Sequence, residues 1–437
     1  MARNSQIESG AVAQYERSES FAQRMDEQDP LKDLRSHFHV PPHEAGQQQI
    51  YLAGNSLGLQ PIKAKQYIEH ELEDWARLAV EGHFHARHPW LPYHEFVTEP
   101  SARLVGAKEH EVVVMNTLTV NLHLMLVSFY RPTKTKYKIL LEANAFPSDQ
   151  YAAASQTQFH GFSPDDAIIE AKPRDGEHTI RTEDILELLN KHGDSIALVL
   201  LGDANYLTGQ AFEIEKLAAA AHAHECTFGL NLAHGAGNLL LKLHDWNVDF
   251  AVWCSYKYLN AGPGGIAGCF VHERFSNSFD LPRFTGWWGH NKETRFKMGP
   301  TFDPIAGAEG WQLSNPPIFQ LAALRASLEL FDLATMPKLR QKSRLLTGYL
   351  EYLLNEELGD AGEIITPRDP EQRGSQLSIK FGKYAKPMLK AFQANGVICD
   401  FREPDIVRAT PAPLYSRFID VYRFVHILRN CIDEVQK

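Results

Sequence analysis

The chain has 437 residues, 44% hydrophobic and 22% charged, enough apolar material for one large and one smaller core. A formal charge of −10 without any basic run excludes nucleic acid as a partner. No stretch is long enough to span a bilayer and the first residues lack the apolar core of a signal peptide, so neither membrane insertion nor export is expected.

Along the chain, polar residues 1 to 30 read as a loosely held arm. Tyr51-Leu52-Ala53-Gly54-Asn55-Ser56-Leu57-Gly58-Leu59 is a short strand entering a tight turn. From Pro61 to Val80, Ile62, Tyr67, Ile68, Leu72, Trp75 and Leu78 fall on one helical stripe, the face expected against the core. Gly82 to Trp90 holds His83, His85 and His88 without accompanying acids or cysteines, so it reads as a loop over a site mouth, with no metal.

From residue 110, helices and strands alternate as in a parallel sheet covered by helices. Helices are expected over Leu118 to Tyr130, after Pro147, over Thr182 to Lys191 and over Glu213 to His224. Strands are expected at Lys138–Leu141, Ala167–Ala171, Ile196–Leu201, Thr227–Leu232, Phe250–Cys254 and Ile266–Val271. The five cysteines are scattered and form no CxxC pair, which suits reduced buried thiols and a cytoplasmic protein.

Beyond Asn315-Pro316-Pro317 the texture changes. One long helical connector from Ile318 to about Glu357 leads into short strands, a helix at Pro387–Ala394 and a final helix from Ser416. The division expected is an arm over 1–50 that joins the small domain, a large domain over 51–317 and a small α+β domain over 318–437.

Ligands of open α/β sheets collect at the carboxyl ends of the strands. The apolar run Phe250 to Cys254 ends in Ser255-Tyr256-Lys257 and a Gly- and Pro-rich turn. A lysine there suits a desolvated amine that forms a Schiff base with an aldehyde cofactor; taken alone it equally suits a solvated loop. Thr117, Leu118 and Thr119 open a helix, where hydroxyls and free N–H groups suit a phosphate or serve as a plain cap. Phe146 is placed to stack on a flat ring and Asp149 to hydrogen-bond its edge, unless Ser148 or Asp149 simply caps the helix. Asn231 is a polar residue inside an apolar strand end, and His234 opens the turn after it. Ser255 and Tyr256 add further phosphate partners.

This order is the layout of fold-type I pyridoxal phosphate enzymes, and the wording is similar to the kynureninase family over nearly the whole chain. The resemblance rests on Gly54 to Leu59, Asn116 to His123, Ala145 to Asp149, Leu232-Ala233-His234 and His244-Asp245-Trp246. It continues through Trp253 to Asn260, Gly286 to His290, Ser314 to Pro317 and Pro413-Leu414-Tyr415. It implies a large domain with a mostly parallel sheet of seven strands, a smaller α+β domain, and a homodimer with shared active sites. It implies that Lys257 carries pyridoxal 5'-phosphate and moves protons, and that Tyr256 contacts the phosphate and donates a proton late. Leu118, Thr119, Phe146, Asp149, Asn231 and His234 would bind the cofactor on the same chain, Trp287 and Asn315 across the dimer. His83, Asn315 and Arg408 would meet the substrate, the arginine by pairing with its α-carboxylate. The implied reaction is hydrolysis of L-kynurenine or its 3-hydroxy form to an anthranilate and L-alanine.

Two residues depart from the family pattern. Asn231 stands where the family has the aspartate that partners the pyridine nitrogen, and Asp203 is an additional acid at a strand end, expected either as a substitute for it or as a loop cap. A neutral amide supports a protonated ring poorly. A paralogue of weakened or absent activity, or another pyridoxal phosphate lyase or aminotransferase on this scaffold, is therefore the alternative.

Overall fold

The computed structural model describes residues 15–43 and 46–436. Its largest element is a seven-stranded sheet. In chain order the strands are β1 (Val112–Val114), β2 (Lys138–Glu142), β3 (Ile168–Ala171), β4 (Ile196–Gly202), β5 (Thr227–Asn231), β6 (Phe250–Cys254) and β7 (Ala267–Val271). Across the sheet they run β1-β7-β6-β5-β4-β2-β3. Only β7 is antiparallel to its neighbours, β6 and β1. β6 is buried at every residue, because helices cover both faces of a mostly parallel sheet.

Helices α3 (Leu118–Phe129), α4 (Pro147–Phe159), α5 (Thr182–His192) and α6 (Ile214–Ala223) provide that cover, after α1 (Glu19–Gln28) and α2 (Ile62–Leu78). Apolar clusters fill the space on either side: Leu140, Val199 and Trp253 belong to one, Ile139, Leu198 and Val252 to the other. The period of two in strand side chains sends neighbours to opposite clusters.

The apolar stripe of α2 is split: Tyr67 and Ile68 pack against the core, the rest of it less so. Ile62, Leu72 and Trp75 are exposed, whereas Glu71 and Asp74 are buried. Those acids are paired: Glu71 accepts from Trp90 Nε1 at 3.0 Å and Tyr93 Oη at 2.8 Å, and Asp74 from the Arg87 N–H at 2.7 Å. Paired carboxylates tolerate burial, so the buried side of α2 is partly polar and part of its stripe stays exposed.

The connector read as one helix is two, α7 (Ile318–Ala334) and α8 (Met336–Glu357), broken at Thr335 with φ of 62°. α7 packs into the large-sheet core through Leu321, Leu324 and Phe331, while α8 joins a second core through Leu346, Leu350 and Leu353. That second core lies on an antiparallel sheet of β8 (Glu363–Ile364), β9 (Leu377–Lys380), β10 (Asp400–Arg402) and β11 (Ile406–Ala409), in the order β8-β9-β11-β10. Phe21 and Ala22 of α1 and Ile50 and Leu52 pack into it, beside the final helix α9 (Phe418–Val435).

One loop joins the two sheets. Residues 205–210 leave β4, yet Arg408 Nη1 donates to the Tyr206 carbonyl at 2.7 Å, Gln376 Nε2 to the same oxygen at 3.1 Å and Ser378 Oγ to the Leu207 carbonyl at 2.6 Å.

Candidate active site

β6 ends at Cys254, and the turn that follows presents Lys257 at the carboxyl edge of the sheet. Gly58 makes the turn possible by lying on it: its N–H donates to the Tyr256 carbonyl at 2.9 Å, and a Cβ there would fall 2.3 Å from the Lys257 carbonyl. Lys257 Nζ reaches into a cavity of about 540 Å³, counting its open mouth. The amine stands 3.1 Å from His234 Nε2 and 5.8 Å from the centre of the Phe146 ring. Burial lowers its pKa from the ordinary lysine value, and the Arg408 and Arg402 charges push the same way. Burial also holds His234 well below the usual imidazole range, helped by the Lys257 charge, so its ring is neutral.

One wall of the cavity is made by two helix starts. Leu118 and Thr119 open α3 and Ser148 opens α4, with Thr119 Oγ1 and Ser148 Oγ 2.7 Å apart. The unpaired N–H groups of two first turns beside paired hydroxyls form an anion site. Phe146 and Tyr206 supply aromatic surface, meeting edge to face at 5.3 Å.

The floor is acidic. Asp149, in the first turn of α4, faces Asn231 at the end of β5. Asn231 Nδ2 donates to the two Asp149 oxygens at 2.9 and 2.8 Å, while its Oδ1 accepts the Ala233 N–H at 2.9 Å. Glu142 ends β2 and accepts from the Gly202 N–H at 3.2 Å and from Asn205 Nδ2 at 3.1 Å. Burial raises Asp149 to about 6, against the Asn231 hydrogen bond and the Lys257 charge, and raises Glu142 to about 7, with Asp149 adding to it.

Asp203 does not substitute at this floor. Asn231 pairs with Gly202 across β4 and β5, so Asp203, one residue on, turns to the opposite face. It is 1% exposed, and neither carboxyl oxygen has a hydrogen-bond partner. Its carboxyl lies against Gly235, where a Cβ would fall 1.2 Å from Oδ2. Burial raises its pKa to about 8.

The remaining expected residues fall in different places. Tyr256 lines the cavity, and burial pushes its phenol well above the ordinary value. Ser255 is fully buried, its Oγ unpaired and outside the cavity wall. Arg408 is fully buried on β11, with Nη2 2.8 Å from Asp400 Oδ1. His83 lies outside the cavity, its Nδ1 2.9 Å from the Val80 carbonyl and its ring against Trp90. Asn315 lines a separate groove with Asn116, Thr117 and Gly264, and the Trp287 indole donates to the Arg295 carbonyl at 3.0 Å. One chain therefore does not bring His83, Trp287 and Asn315 to Lys257.

Glu142 and Tyr206 line the cavity without having been singled out from the sequence. Glu142 carried the same signal as Asn231, a polar residue closing an apolar strand. A buried amine for an aldehyde, two helix starts for a phosphate, an aromatic face and a buried carboxylate fit pyridoxal phosphate.

Comparison with known proteins agrees. Residues 339–428 match the family model of the kynureninase C-terminal domain. The kynureninase of Myxococcus xanthus is 65% identical over 416 residues, covering 95% of this chain and 98% of that protein. That of Koribacter versatilis is 58% identical over 415 residues with the same coverage, 95% and 98%. Among solved structures, a cysteine desulfurase from Thermococcus onnurineus shares the fold with a TM-score of 0.76 at 16% identity, over 93% of this chain and 99% of that one. A C-DES mutant with glycine covalently linked to its PLP cofactor gives 0.73 at 17% identity, over 88% and 96%.

Proposed function

The chain belongs to the kynureninase family, and on that footing we propose that it hydrolyses the β,γ carbon–carbon bond of L-kynurenine or 3-hydroxy-L-kynurenine, releasing an anthranilate and L-alanine. The observation that carries this reading is the buried Lys257 amine beside neutral His234, above the Asp149–Asn231 floor. Pyridoxal phosphate supplies an electron sink that makes the α-hydrogen of a bound amino acid acidic.

The residues have separable tasks. Lys257 Nζ would hold the cofactor by its aldehyde carbon and is the amine placed to accept the α-proton, which its lowered pKa favours. Thr119, Ser148 and the two helix starts would hold the phosphate. Phe146 would face the ring and Asp149 its nitrogen edge. Tyr256 keeps its proton at neutral pH and so has one to donate to the β-carbon that becomes the alanine methyl group. Arg408 offers its planar fork to the substrate carboxylate from the smaller sheet.

We propose also that two copies share their active sites. The supports are that Trp287 and Asn315 lie outside the Lys257 cavity and that α2 leaves Ile62, Leu72 and Trp75 exposed, Trp75 meeting Phe319 at 6.2 Å. The five cysteines are buried and unpaired, which favours a reducing cytoplasm, and among the described residues no helix is long and apolar enough to cross a membrane.

Purified protein loaded with pyridoxal phosphate should show a visible band that borohydride fixes at Lys257. Kynurenine should then yield anthranilate fluorescence. A colourless protein, or a coloured one that leaves both substrates intact, would refute the assignment.

A further inference from the structure

We infer that in this chain the carboxylate meeting the pyridine nitrogen is Asp149, and that Asn231 is its positioning residue; this rests on the pyridoxal phosphate reading above. The residue at 231 has no charge to offer the ring, and both of its polar atoms are engaged. Oδ1 takes the Ala233 N–H, which fixes which end of the amide faces the cavity, and Nδ2 is then aimed at both Asp149 oxygens.

Three other acids or acid positions can be weighed against Asp149. Asp203 lies on the wrong face of the sheet, behind Gly235. Glu142 is turned to the Gly202 N–H and the Asn205 amide at the rim of β4. An aspartate at 231 would stand within hydrogen-bond distance of Asp149 and would repel its carboxylate where the Asn231 amide clamps it. Asparagine removes that conflict and leaves one carboxylate in charge of the nitrogen edge. Each Asp149 oxygen accepts a hydrogen bond from Asn231 and retains acceptor capacity toward the cavity that it lines. The clamp also opposes the effect of burial, since a hydrogen bond to the charged form favours it.

The test compares wild type, Asp149→Asn, Asn231→Ala and the double variant as holoenzymes. It reads the pyridoxal phosphate dissociation constant, the pH midpoint of the visible band, and kcat and KM separately. Thermal melting of each protein checks the fold. Asp149→Asn should weaken cofactor binding by at least about tenfold, shift the midpoint, and lower kcat far more than it changes KM. Asn231→Ala should move the same quantities in the same direction by a smaller factor. The double variant should be no worse than Asp149→Asn alone, because Asn231 acts through Asp149. A wild-type-like midpoint and affinity in Asp149→Asn, or losses that add in the double variant, would overturn the inference. Wild type without a band would instead bring down the cofactor reading itself, so the two failures are distinguishable.

Discussion

Two buried aspartates near the same sheet edge have opposite surroundings. Asp149 receives an amide on both oxygens and faces the cavity, whereas Asp203 has no partner and is pressed against a glycine on the reverse face. Both are driven up by burial, Asp149 to about 6 and Asp203 to about 8. The difference shows what one carboxamide does. A clamped acid keeps its charge available near neutral pH, while an unclamped one retains its proton and serves as a polar but uncharged filler.

The largest effect is expected where the clamped acid's charge is used. Lys257→Ala should abolish the visible band and lower turnover by at least about a thousandfold, with the melting temperature of the cofactor-free protein little changed. Retained turnover would mean that the cavity floor serves something other than a lysine-bound cofactor.

The unclamped acid predicts a steric coupling. Gly235→Ala drives a methyl group into the Asp203 carboxyl and should cost about 1–3 kcal/mol, measured by denaturant unfolding. Adding Asp203→Gly should recover most of that loss. Independent, additive effects would show that the two positions do not share the space.

A pH dependence follows from the same contrast. Asp203 has a folded pKa above its unfolded value, so its contribution to stability is full below the unfolded pKa and is lost as pH rises toward about 8. Glu142, raised to about 7, acts in the same sense. His234, depressed by burial, works oppositely, but only below the usual imidazole range. The melting temperature of cofactor-free protein should therefore fall between about pH 6.5 and about pH 8. Asp203→Asn should flatten that fall, and an unchanged slope would show that Asp203 is ionised throughout.

The smallest effect concerns the phosphate wall. Ser148→Ala leaves Thr119 and the helix N–H groups in place and should weaken cofactor binding by about threefold to tenfold, read by absorbance titration.

Much of the site was legible because its residues close apolar strands. Lys257 after β6 and Asn231 at the end of β5 are each marked by a polar residue following a buried run, and Asp149 by its place in the first turn of the helix after β2. What those residues touch was not legible, since Asp149 and Asn231 are 82 positions apart and no local pattern encodes their pairing. β1, three valines before α3, escaped notice for lack of length. The stripe of α2 was legible but its split was not, because periodicity identifies a stripe without saying how much of it the core takes. Only the Trp90 and Tyr93 partners of Glu71 decide that. The break at Thr335, with φ of 62°, was announced by Pro337 in the first turn of α8, a helix-start signal that the apolar pattern running through it overshadows.

The loop over residues 205–210 is sewn to the smaller sheet although it grows out of the larger. Arg408, paired with Asp400, is thus also the group that tethers the Tyr206 carbonyl, and Tyr206 leans on Phe146. Arg408, Tyr206 and Phe146 form one line of contacts from the smaller sheet to the aromatic wall of the cavity. A substitution that loosens Arg408 should therefore disturb the cavity wall from the far sheet, without altering any residue that lines it.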